Sequence, residues 1–115
     1  MPEVNATVFR SFEEFWPYYV SEHSVPACRT LHFIGTTLAL FVLIAALMIG
    51  NYWLLLAVPV VGYGLAWVGH FFIEKNRPAT FKYPLWSLFG DVKMYGLILT
   101  GRMAGEVQRV RTLAK

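Results

Sequence analysis

The chain has three histidines, His23, His32 and His70, and two of them sit near the ends of a run that carries no formal charge. From Thr30 to Ile73 there is no Asp, Glu, Lys or Arg over 44 residues, and Arg29 and Glu74 bound the run. His32 and His70 lie within one residue of the same distance from Gly50-Asn51, the pair suited to reversing the chain. In an antiparallel helical hairpin that difference is about 1.5 Å of depth. Glu74 follows His70 by four residues, which places both on one helix face with Trp67 and Tyr63. His23 reaches the same level from the preceding segment, and Glu22, Glu74 and Asp91 are the carboxylates within range. Three neutral imidazoles and a carboxylate with exchangeable positions suit iron(II) or zinc. Each residue also has an ordinary reading: His23 exposed at an interface, His32 bonded to a helix-end carbonyl, His70 paired with Glu74. Their common depth favours function, because ionisable groups at membrane depth are expensive to place there.

Other chemistries find little support. The chain has no HExxH, no phosphate-binding glycine loop, no ExxH di-iron pair and no serine elbow. Three histidines are too few for the many-histidine clusters of membrane desaturases. A triad of Ser24 or Ser87 with His and Glu has no spacing to recommend it. The single Cys28 excludes an intramolecular disulfide and a cysteine-based metal site, and is expected to be packed and inert.

The elements that must position the histidines follow from hydropathy. Hydrophobic residues make up 57% of the 115 residues and charged ones 15%, an imbalance that points to an integral membrane protein. The expected fold is all-α, a single membrane domain over residues 1–115. Its centre is a hairpin of two spanning helices, Thr30–Ile49 and Tyr52–Ile73, each about 30 Å long. Pro59 is expected to kink the second helix. Gly62, Gly64, Ala66 and Gly69 face Gly35 and Ala39 in a tight contact.

Before the hairpin, Ser11-Phe12-Glu13-Glu14 reads as a capping box. Phe12, Phe15, Trp16, Tyr19, Val20 and His23 form one stripe of an amphipathic helix suited to the headgroup layer. After the hairpin, Asn76-Arg77-Pro78 ends the helix. The stretch Leu85 to Gly101 holds Asp91 and Lys93, each costing about 3 kcal/mol at mid-membrane, so an interfacial or re-entrant helix is expected there. The last residues, with Arg102, Glu106, Arg109, Arg111 and Lys115, read as a solvated helix.

Arg29, Lys75, Arg77 and Lys82 flank the hairpin opposite its uncharged turn, which predicts cytoplasmic termini. The net charge of +3 is better matched to anionic lipid than to nucleic acid. Glu3, Glu13 and Glu14 and the lack of an early apolar core predict no cleavable signal.

Two long motifs sharpen this reading. EHxxPxxRxLHxxGT spans Glu22 to Thr36, and WxGHxxxExNRPATFxxPxxSLxGD spans Trp67 to Asp91. Over about Phe12 to Met94 the chain closely resembles the membrane family of the yeast 2-hydroxy-fatty-acid (2-hydroxypalmitate) dioxygenase. That resemblance implies an iron(II)-dependent, 2-oxoglutarate-independent dioxygenase that shortens a 2-hydroxy fatty acid by one carbon with O2. It carries the family's histidines onto His23, His32 and His70 as metal ligands. Glu74, Arg77 and Arg29 are then the expected catalytic surroundings, an arginine meeting the substrate carboxylate. Eukaryotic members reside in the endoplasmic reticulum; the shorter chain here suits a bacterial plasma membrane. Two rival functions, a scaffold or lipid-binding hairpin and a zinc-dependent lipid hydrolase, use the same residues. Oligomeric state is left open by the sequence.

Overall fold

A computed structural model describes residues 9–113. Among these residues the chain is all helical, with five α-helices and no strand. Helix α1 (Phe12–Ser21) starts where Ser11 accepts a hydrogen bond from the Glu14 backbone at 3.2 Å. The reciprocal half of the box is displaced by one residue, since Glu14 accepts from the Arg10 backbone N–H rather than from that of Ser11. Helix α2 (Pro26–Ile49) begins four residues before the expected boundary. Pro26 occupies its first turn, where a missing N–H leaves no bond unmade. Proline there opens the helix instead of turning the chain away.

The hairpin closes at Gly50, whose φ of 79° is the left-handed conformation that glycine adopts without strain. Its N–H returns to the Ala46 carbonyl. Asn51 then caps a short 3-10 turn (Tyr52–Leu56) through its side-chain oxygen. Helix α3 (Ala57–Val68) follows, and a π-helical turn (Gly69–Glu74) completes the second arm. Pro59 therefore lies in the first turn of α3, where its ring is tolerated, and the irregularity it was expected to produce precedes it as the 3-10 turn. Both arms are long and apolar enough to cross a membrane. Their outer faces expose large apolar side chains, Met48 at 82% and Trp53 at 81% among them, a contiguous surface that water does not tolerate and lipid does.

The packed core sits elsewhere. Helix α4 (Pro84–Leu99) and helix α5 (Met103–Leu113) fold with α1 into a cap over the end of the hairpin away from Gly50. Phe15, Trp16, Tyr19 and Val20 of α1 are buried against Met94 and Leu97 of α4 and Met103, Val107 and Val110 of α5. Burying aromatic side chains of this size stabilises by about 1.5–3 kcal/mol each. The aromatic stripe of α1 is thus interior packing, not a lipid-facing anchor. The last helix is likewise not solvated all round, because Met103, Val107 and Val110 recur on one face and dock on α1.

Both ends of α4 stay on one side of the hairpin. Its first turn is joined to Thr80 through Ser87, and its last turn, with Ile98, shares a pocket with Pro26 and Arg29 at the start of α2. Midway, Tyr95 stacks on Phe33 and bonds the Thr37 hydroxyl. Helix α4 therefore lies across the hairpin, with Leu85, Phe89 and Val92 exposed.

Candidate metal centre

The three histidines come from three different segments. His23 follows α1, His32 lies in the second turn of α2, and His70 is in the π-helical turn. All three are buried, and one ring nitrogen from each lies within 4.8 Å of the others. His70 Nε2 is 3.0 Å from His23 Nε2 and 3.3 Å from His32 Nε2.

Local structure places each ring. The π-helical turn takes one more residue per hydrogen bond than an α-turn, an irregularity often found at functional sites. Here Gly69 packs against Cys28 so closely that a Cβ would come within 2.8 Å of its sulfur. The two arms meet at that point, one residue from His70. Lys75, with φ of 61°, reverses the backbone, and the Asn76 N–H returns to the His70 carbonyl at 2.9 Å. The Asn76 side chain thereby reaches His70 Nδ1 at 2.7 Å.

The outer hydrogen bonds fix the tautomers. Asn76 donates through Nδ2 to the Glu22 carbonyl, so its Oδ1 faces His70 and His70 Nδ1 must donate. His23 Nδ1 faces the Tyr19 carbonyl at 2.7 Å and must donate as well. The Nε2 atoms of both rings are then bare lone pairs, 3.0 Å apart with no proton to share. Burial, and then the neighbouring His32 and His70, hold the His23 imidazole well below its usual range, so a shared proton is not the natural remedy. A cation is. Imidazole nitrogens about 2.1 Å from one ion, at angles of about 90–110°, lie about 3.0–3.4 Å apart. The His23–His70 and His32–His70 separations fall in that interval, the third pair lies within 4.8 Å, and ligating histidines ordinarily donate their other N–H to a carbonyl. The residues present fit a divalent metal.

Around the rings is a small chamber, about 10 Å³, lined also by Tyr63, Trp67, Thr80, Ser87 and Asp91. Asp91 accepts from the Tyr19 hydroxyl at 2.5 Å. Burial pushes its carboxyl up to about 6 despite that bond. The ring of Tyr19 stacks on His23 with centroids 4.1 Å apart, so one residue orients a histidine through its carbonyl and an acid through its hydroxyl.

The three other expected residues lie outside this lining. Glu74 accepts from the Val25 N–H at 2.7 Å and from the Ser24 hydroxyl at 3.2 Å, closing the entry to α2. Arg29 donates to the His23 carbonyl at 2.7 Å. Arg77 is exposed. Trp67 and Tyr63, placed by spacing on the His70 face, do line the chamber, whereas spacing does not single out Asn76 or Tyr19 as site residues; the only signal for Asn76 is its position between Glu74 and Arg77 in the second motif.

Fold and site together define a small all-α protein with a membrane-type helical hairpin and a three-histidine centre under a helical cap. Residues 9–103 match the family described as Mpo1-like, 2-hydroxy-palmitic acid dioxygenase Mpo1-like, and the chain belongs to it. No curated protein and no solved structure matches the chain.

Proposed function

We propose that the protein is an iron(II)-dependent dioxygenase of fatty-acid α-oxidation, with His23, His32 and His70 as the metal ligands. The observation that carries this reading is the pair of Nε2 atoms held 3.0 Å apart, with the Nδ1 of each ring facing a carbonyl oxygen, in a member of this family. The reaction balances without an external reductant: R–CH(OH)–COOH and O2 give R–COOH, CO2 and H2O. The bond between C1 and C2 breaks, the acid gives up four electrons, and O2 accepts them. Bound iron(II) would supply the one-electron chemistry that allows O2 to react with a closed-shell acid.

The chain's own contribution is positional. Tyr19 and Asn76 hold the His23 and His70 rings with their Nε2 atoms inward. Three neutral ligands leave the centre a net positive charge, suited to an anionic carboxylate. Arg29 and Glu74 hold the His23 loop and the start of α2 around it, and are positioning residues in this reading. Arg77 adds to the basic flank. The whole chain is proposed to act as a single domain in a bacterial plasma membrane, both termini cytoplasmic by the charge of that flank.

The test is aerobic incubation of iron-loaded, detergent-purified protein with 2-hydroxypalmitate. Consumption of O2 with release of the acid one carbon shorter is expected. Protein that takes up no iron(II), or that turns over lipid esters without O2, would overturn this reading in favour of the scaffold or the hydrolase.

A further inference from the structure

Two features of the site are not used by the metal centre. Among the described residues the buried indole Nε1–H of Trp67 has no acceptor, and Trp67 lines the histidine chamber. A buried donor left unpaired costs about 1–3 kcal/mol, so its partner is expected to be something that binds there. The second feature is an apolar groove of about 380 Å³ between α2, α3 and α4. It shares His32, Tyr63, Ala66 and Asp91 with the chamber and runs from them toward Leu43, Val58 and Pro59. Small residues, Ala66 and Gly62 on α3 and Ala39 on α2, are among its lining.

We propose that chamber and groove form one binding site for a single-chain 2-hydroxy fatty acid, with Trp67 Nε1–H donating to a carboxylate oxygen and the alkyl chain lying along the Ala39–Gly62 contact. This assignment rests on the proposed reaction for the identity of the head group. The occupant follows from continuity and charge. One end of the groove reaches the proposed cation site and, through the chamber, an orphan N–H donor, and the rest is mainly apolar, with the small residues Ala39 and Gly62 midway along it. Alkyl chains already dissolved in lipid gain little from burial, so recognition falls to the head, and the groove acts as a guide.

The groove gives a ruler. Ala39 is seven residues and Leu43 eleven residues beyond His32, about 10 Å and about 16 Å along α2. An extended chain covers about 1.2 Å per bond. The terminal carbon is therefore expected near Ala39 for a tail of about nine carbons and near Leu43 for one of about fourteen.

The experiment uses full-length protein incubated with iron(II) and kept free of O2, so that no turnover occurs, in phosphatidylcholine nanodiscs with 2-hydroxy acids carrying a photoreactive diazirine at the terminal carbon. Peptide mass spectrometry should find the shorter acid on Ala39 or Gly62 and the longer one on Leu43, Val58 or Pro59. Trp67→Phe should weaken labelling about tenfold at every length without moving it. Gly62→Leu should abolish labelling beyond Gly62; Leu43→Trp, which leaves the helix contact intact, should do so only at the far end. Labels spread over Phe41 and Met48, positions that do not move with chain length, unchanged labelling in Trp67→Phe, or competition by phosphatidylcholine equal to that by the acid would overturn the proposal. Because no turnover is needed, a positive ruler with no O2 consumption would reject the reaction alone, and turnover without a ruler would reject the groove alone.

Discussion

His23 and His70 present their Nε2 atoms to each other at 3.0 Å, while the Nδ1 atom of each is committed to a carbonyl oxygen, of Tyr19 and of Asn76. Two lone pairs so placed repel unless a cation lies between them. Purified protein is accordingly expected to hold one equivalent of divalent metal, and His70→Ala or His32→Ala to lose it, as read by elemental analysis after gel filtration.

Asn76 matters through His70. Removing its oxygen frees the ring to rotate and to change tautomer, and loss of such an outer bond typically lowers metal affinity by about 10–100-fold. Asn76→Ala should show that loss in a chelator competition while the protein remains folded by circular dichroism.

Gly90 lies flat under the Tyr19 ring. A Cβ at this position would be 2.8 Å from one ring carbon and 2.9 Å from another, and the ring is pinned by Asp91 on one side and by His23 on the other. Overpacking of this kind costs about 1–3 kcal/mol. Gly90→Ala should lower the unfolding midpoint and also weaken metal binding, whereas Gly96→Ala, which meets open space, should do neither.

Acid should undock α5. Glu106 accepts from Trp16 Nε1–H at 2.5 Å and from Arg109 at 2.6 Å. Chiefly the Arg109 bond holds its carboxyl down at about 2, against an ordinary value of 4.5. The Arg109 pair lies within α5 and survives undocking; the Trp16 bond is the share that stabilises the docked state above the ordinary value and is lost as pH falls through the depressed one. Trp16 fluorescence is expected to change between pH 4.5 and about 2, separately from any step near 6 passed on by Asp91 through the Tyr19 ring stacked on Trp16. In Glu106→Gln the lower titration should vanish.

Much of the membrane frame was legible because it depends on composition. An uncharged run of that length leaves few alternatives to a hairpin, and Gly50-Asn51 is where the turn occurs. The equal depth of His32 and His70 follows from counting along two helices, and the structure puts their Nε2 atoms 3.3 Å apart. What sequence could not supply was the destination of amphipathic faces. The stripe Phe15-Trp16-Tyr19 has the same spacing whether lipid or another helix covers it, and its partners, Met94 and Val107, are distant in the chain. For the same reason Asn76 was missed: only the left-handed turn at Lys75 shows that its side chain comes back to His70. The π-helical turn carries no clear local signature, and the regular helix expected up to Ile73 gives way to it at Gly69.

The bonds that close the cap join residues far apart in sequence: Trp16 with Glu106, 90 residues on, and Tyr19 with Asp91, 72 residues on. Contacts of such separation form late, because the intervening chain must be ordered first. The α1 face that buries Phe15 and Trp16 is therefore covered by helices that follow the hairpin in the chain. Tyr19, whose carbonyl orients His23, is itself held through its hydroxyl by Asp91 of α4, so the seat of the earliest histidine is completed by a helix made after both arms.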